Sequence, residues 1–114
     1  VIVVYRTYAG DRLDLQIFKA RLVNGYEIEI FNNDDTVKDL SVYSNIVLEI
    51  LQKQHGTLVE EFETGAGIQI TGNVISWSAD DEQTDLRPKF YASNCYGVLP
   101  EGKELIFNGV IEVI

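Results

Sequence analysis

A chain of 114 residues suits one domain, and a domain of this size buries roughly two thirds of the surface its unfolded chain exposes, so it needs no cross-links to fold. It could form none internally, because Cys95 is the only cysteine, and with no positive neighbour it reads as a small buried hydrophobe. The net charge of −9, spread along the chain, sets the surface against phosphate backbones and anionic lipid headgroups and so argues against nucleic acid and membrane as partners.

No apolar run approaches the ~20 residues of a membrane span, and residues 1–8 lack the basic-then-apolar layout of a signal peptide. The sequence has no methionine, even at its start, which is expected of a processed or trimmed chain. A single cysteine fits a protein made in the cytosol.

In chain order, short apolar runs alternate with polar residues and break at Gly, Asn and Asp, the period of two that marks half-buried strands. Residues 2–8 form the first, ending at Gly10-Asp11; 13–18 and 26–31 follow, parted by Asn24-Gly25, and Asn32-Asn33-Asp34-Asp35 makes a turn. Between 41 and 54 two patterns compete. Leu40, Tyr43, Val47, Ile50 and Leu51 fit one helix face, but Ile46 and Leu48 fall off it and the Ile-Val-Leu-Glu-Ile run prefers a pleated surface, so a strand at 46–51 is predicted. Turns at His55-Gly56, Gly65-Ala66-Gly67 and Gly72-Asn73 then separate strands 58–62, 68–70 and 74–77.

After that, Ser78 with Asp81 makes a capping-box pattern, and Asp80, Asp81 and Glu82 suit a helix N-terminus; Pro88 limits it to about two turns, so a short helical turn is predicted near 79–86. Strands 90–96 and 105–113, parted by Pro100-Glu101-Gly102, complete the chain. The pattern predicts an all-β domain: one antiparallel β-sandwich of about seven to nine strands spanning residues 1–114, with no repeat or linker.

Candidate chemistry is thin. His55 has no second histidine or paired cysteine with which to build a zinc site. Asn32, Asn33, Asp34, Asp35 and Asp39 offer hard oxygen ligands without the spacing of a calcium loop, and read as a solvated turn. Glu60 and Glu61 are strand neighbours that point to opposite faces, and Asp80 with Asp81 reads as a solvated turn, so neither makes an acid and base pair. Trp77 follows Ile75 at strand spacing and belongs in the core. No catalytic, cofactor-binding or metal-binding residue is expected.

The order Gly10-Asp11, Asp35-Thr36-Val37-Lys38-Asp39-Leu40-Ser41, Ile46-Val47-Leu48-Glu49-Ile50, Gly67-Ile68-Gln69-Ile70, Val74-Ile75-Ser76-Trp77, Thr84-Asp85-Leu86, Tyr91 and Gly109-Val110-Ile111-Glu112-Val113 resembles the immunoglobulin-like domains of phage and prophage tail or baseplate proteins, in particular the N-terminal domain of baseplate upper proteins. The likeness spans roughly residues 10–113 and lies in the order and type of elements. The segment between Gly10 and Asp39 is longer than in that family, and Asn32-Asn33-Asp34-Asp35 stands where the family has Asp-Gly. Read from the residues alone, Asp85, Leu86 and Tyr91 fit the corner before a sandwich strand in which a tyrosine hydroxyl bonds back to upstream backbone, although Tyr91 does not stand two residues before Cys95 as the antibody pattern requires. The resemblance implies a non-enzymatic virion structural part, made in the bacterial cytoplasm, that joins other tail or baseplate proteins and repeats as a homo-oligomer in the particle. A carbohydrate-binding or adhesin-like receptor module is the competing class, and it requires exposed aromatics. The apolar terminal runs, 1–8 and 105–114, are expected either to close a sheet or to present an edge to another chain.

Overall fold

Side chains that alternate between the interior and the outer face build the long elements. In the computed structural model, which describes residues 3–114, the protein is all-β: β1 (Val4–Tyr8), β2 (Asp11–Arg12), β3 (Leu15–Ile17), β4 (Val23–Phe31), β5 (Asn45–Leu51), β6 (Leu58–Thr64), β7 (Gly67–Thr71), β8 (Val74–Ala79), β9 (Phe90–Leu99) and β10 (Gly102–Val113), with a 3-10 turn at Leu40–Val42. Of the first predicted strand, Ile2 lies outside the described residues.

The strands form one hydrogen-bonded sheet in the order β1-β4-β8-β7-β6-β5-β9-β10-β2, with β3 also on β10. It curls so that its inward side chains share one core, drawn from Ile28 and Ile30 of β4, Ile68 of β7, Ile75 and Trp77 of β8, Phe62 of β6, Leu48 and Ile50 of β5, Cys95 of β9 and Phe107 and Ile111 of β10. Trp77 is fully buried and meets Tyr26 edge-on at 6.0 Å and Phe62 at 5.4 Å, so its indole joins β4 and β8 to β6 across the interior.

Two joints make the curl. Between β6 and β7 the chain does not turn back but steps sideways: Glu63 and Ala66 exchange backbone hydrogen bonds, Gly65 and Gly67 take positive φ, and the strand resumes in the same direction beside Glu63 and Thr64. A side chain at Gly67 would strike the Phe62 ring and the Ser78 carbonyl, so only glycine fits there. At the other joint Ala9 donates its N–H to Phe31 of β4 and Gly10 donates to Ile106 of β10, carrying the chain from one end of the sheet to the other in two residues. Side chains bridge the seam left there: the Gln16 N–H donates to the Tyr5 hydroxyl at 3.3 Å, and the Thr7 hydroxyl donates to the Arg12 carbonyl at 3.4 Å.

Several expectations need correction. The pairing is not purely antiparallel, because β1–β4, β6–β7, β10–β2 and β10–β3 are parallel; the two joints shift the strand sideways without reversing it, or send it to the opposite end of the sheet. There are ten strands among the described residues, the extra one being β2, where Asp11 and Arg12 pair with Phe107 and Asn108 although Gly10-Asp11 looks like a turn. The helical turn is one turn, closed by Thr84 N–H to the Asp80 carbonyl. Its capping box is Asp80 with Gln83, each bonding the other's backbone N–H, whereas Ser78 stays in β8 and accepts from the Gly25 N–H. The strand predicted at 46–51 forms, preceded by the 3-10 turn that Asp39 caps through the Ser41 N–H.

The C-terminal strand is not an open edge. β10 lies inside the sheet, bonded to β9 on one side and to β2 and β3 on the other, and β1 is tied across the seam. The open flank is where β6 and β7 part, since they pair only at Glu63–Gly67 and Thr64–Ile68.

Candidate functional site

Most of the polar residues weighed from the sequence hold local structure. His55 is exposed at φ 61° in the β5–β6 loop. Asp34 accepts from both the N–H and the hydroxyl of Thr36, which holds its carboxyl below the usual range, and Ser41 does the same for Asp39. Asp35 accepts from the Tyr8 hydroxyl, which raises that phenol. Glu60 is half-buried and Glu61 exposed, as strand alternation requires; burial, with Asp80 nearby, pushes the Glu60 carboxyl up. Cys95 is fully buried and its thiol is pushed up by desolvation, so it is inert at neutral pH. The Tyr91 hydroxyl donates to the Arg87 carbonyl at 2.8 Å, as the tyrosine-corner pattern leads one to expect. Among the described residues no three His, Cys, Asp or Glu side chains group to hold a metal ion, and no helix is long and apolar enough to cross a membrane.

Three surfaces remain as candidate contacts. A groove of about 590 Å³ opens at one end of the sheet, where β7 runs past the end of β6; Leu40, Tyr43, Ile46 and Ile70 line it, with Lys38 and Asn73 among its polar groups. Tyr43 donates to Glu104 at 2.6 Å, and Lys38 stands 3.6 Å from the same carboxylate. Burial first and Glu104 second raise the Tyr43 phenol, which therefore stays neutral across physiological pH.

The second is a groove of about 450 Å³ along the seam, with Phe90 and Tyr5 beside Arg12, Asp14, Gln16 and Glu112. Phe90 is 65% exposed, Gln16 donates to Glu112 at 3.0 Å, and Arg12 pairs with Asp14, which lowers that carboxyl.

The third is the solvent face of β6, β5, β9 and β10. Residues 46, 48 and 50 of β5 point into the core, yet Val47 and Leu51 on the other face are also buried, as is Ala92 of β9. These three lie outside the main core cluster and are covered by neighbouring side chains of the outer face, where Leu58 and Leu105 are the exposed apolar groups. Sequence reading assigned them simply to strands; the unbroken Ile46-Val47-Leu48 run is the signal that both faces of β5 are apolar.

The sequence matches no protein-family model, and no curated protein matches it.

Proposed function

We propose that this domain is an immunoglobulin-like β-sandwich acting as a non-catalytic assembly module of a phage or prophage tail particle of the baseplate type. Strand order supports the fold reading. β4-β8-β7 and β6-β5-β9-β10 follow the two sheets of an immunoglobulin domain, with β2 and β3 parallel to the last strand and a tyrosine corner at Tyr91. The departure is β1, which runs parallel to β4 as an added edge. On the function, the observation that carries the reading is the outer face of β6, β5, β9 and β10, where Leu58 and Leu105 stand 47% and 41% exposed on either side of the half-buried Tyr96. Exposed apolar groups set together on one face mark sites of protein contact.

In the particle, copies of the domain and other tail or baseplate proteins are its partners, and self-contact falls on the open flank at β6 and β7. Glu60, Glu61 and Glu63 on β6 repel a second copy there, so association of the isolated domain strengthens as salt screens them. Light scattering across concentration and salt checks this: mass rising with both is the expected result, and a strict monomer at high protein and high salt counts against it. A receptor-binding reading is favoured by one observation, the exposed Phe90 ring beside the Gln16–Glu112 pair, a geometry suited to stacking on a sugar. Glycan binding abolished by Phe90→Ala in a domain that never self-associates would replace assembly with that function.

A further inference from the structure

The outer face of β6, β5, β9 and β10 has an internal order. Cross-strand register lines up one apolar row, Leu58-Leu51-Ala92-Val110, and a second, Val47-Tyr96-Leu105, with Glu61-Glu49-Asn94-Asn108 between them. Glu63 extends the second row on β6. Glu49 and Glu61 stand directly opposite each other, an arrangement of like charges that destabilises a strand pair. Neither they nor Glu63 take part in any of the ion pairs among the described residues, which involve Glu29, Asp14, Asp85 and Glu104. Lys103 lies 4.4 Å over the Tyr96 ring and not beside a carboxylate.

We propose that this face docks a protein partner whose surface sets lysine or arginine side chains beside aliphatic ones, an inference that rests on the domain being an assembly module. The partner's cations neutralise Glu49, Glu61 and Glu63, relieving the repulsion between Glu49 and Glu61, while its aliphatic groups cover the exposed Leu58 and Leu105. A second copy of the chain is not the occupant. Two such faces would bring the same unpaired carboxylates together in molecules that already carry −9 each. Four strands about 4.8 Å apart and about 25 Å long give a face of roughly 500 Å², below the ~800 Å² per partner of a stable interface. Each contact is therefore weak alone, and repetition of the module in a particle supplies the avidity.

The test is an amide-shift titration of the intact domain with a synthetic peptide alternating lysine and valine, and with its glutamate-valine counterpart. Wild type is compared with Glu49→Lys/Glu61→Lys and with Asp81→Lys/Glu82→Lys, which makes the same charge change on the turn after β8. The expected result is shifts centred on Val47, Glu49, Asn94 and Tyr96, no binding of the acidic peptide, and binding that weakens with salt. Affinity should fall about tenfold in the first variant and less than about twofold in the second. Equal losses in both variants, shifts spread over all acidic surfaces, or shifts confined to the β6 edge overturn the proposal. A neutral variant, Glu49→Gln/Glu61→Gln, which relieves the repulsion and should unfold no lower than wild type, keeps the outcome readable if the lysine pair unfolds. Self-association answers separately: a domain that binds the peptide on this face but stays monomeric keeps the docking face and loses the homo-oligomer.

Discussion

Trp77→Ala is expected to cost about 3–5 kcal/mol, a large part of the ~5–15 kcal/mol that holds a domain of this kind together. The indole is fully buried and touches Tyr26 of β4 and Phe62 of β6, so truncation leaves a cavity between β4, β8 and β6 in the interior. Trp77→Phe should cost far less. The indole Nε1 is buried without a protein acceptor, so phenylalanine loses volume but no hydrogen bond, and it removes a polar atom whose burial is unfavourable. Urea titrations of the two variants give the comparison; an alanine variant within about 1 kcal/mol of wild type would place the indole outside the core.

Gly109→Ala should be nearly as damaging, by a different route. Gly109 has ordinary extended geometry, so backbone freedom is not why it is there; space is. A Cβ at this position lands on the Leu13 carbonyl oxygen and comes within 2.8 Å of the Leu13 carbonyl carbon and of Asp14 Oδ1. The segment between β2 and β3 crosses directly over β10 there, fixed by the Leu13 N–H bond to the Asn108 carbonyl and by the Val110 N–H bond to Asp14. Alanine must push that segment off the sheet, at a cost of about 2–3 kcal/mol, or about 10 °C in Tm. A change below about 0.5 kcal/mol would mean that β2 and β3 do not lie where they are described.

The strands were legible because half-buried strands write their period into the chain, most plainly in β4 and β8, and because the β-branched and apolar run of β5 suits a pleated surface. Trp77 was legible for the same reason, by its register with Ile75. Connectivity was not. Nothing in Gly10-Asp11 distinguishes a hairpin from a switch between distant strands, since both need a residue at positive φ, and β2 has only two residues with which to declare itself. Gly65-Ala66-Gly67 likewise reads as a reversal, although its two glycines serve a sideways step; the second is fixed by contact with Phe62 and Ser78, residues remote from any turn pattern. The capping box fell two residues later than expected because Ser78 was already engaged by the Gly25 N–H, a partner more than fifty residues away in sequence. The outer face was hidden for a physical reason too. Val47, Leu51 and Ala92 look like core residues, and only register shows that they point away from the core that Ile46, Leu48 and Ile50 fill.

Where partners can pair with this module depends on which edges are sealed, and amide hydrogen exchange tests that most directly. Amides of β10 around Phe107 and Ile111 should exchange as slowly as those of β9, because β10 is bonded on both sides. On β6, the Glu63 N–H points away from β5 to the Ala66 carbonyl, so by the period of two Glu61 also points outward, onto the open flank, and should exchange fast, as should Ile70 of β7. Slow exchange at Glu61 and Ile70 with fast exchange along β10 would contradict this: the termini would then be the free edge, and the β6–β7 flank would be sealed.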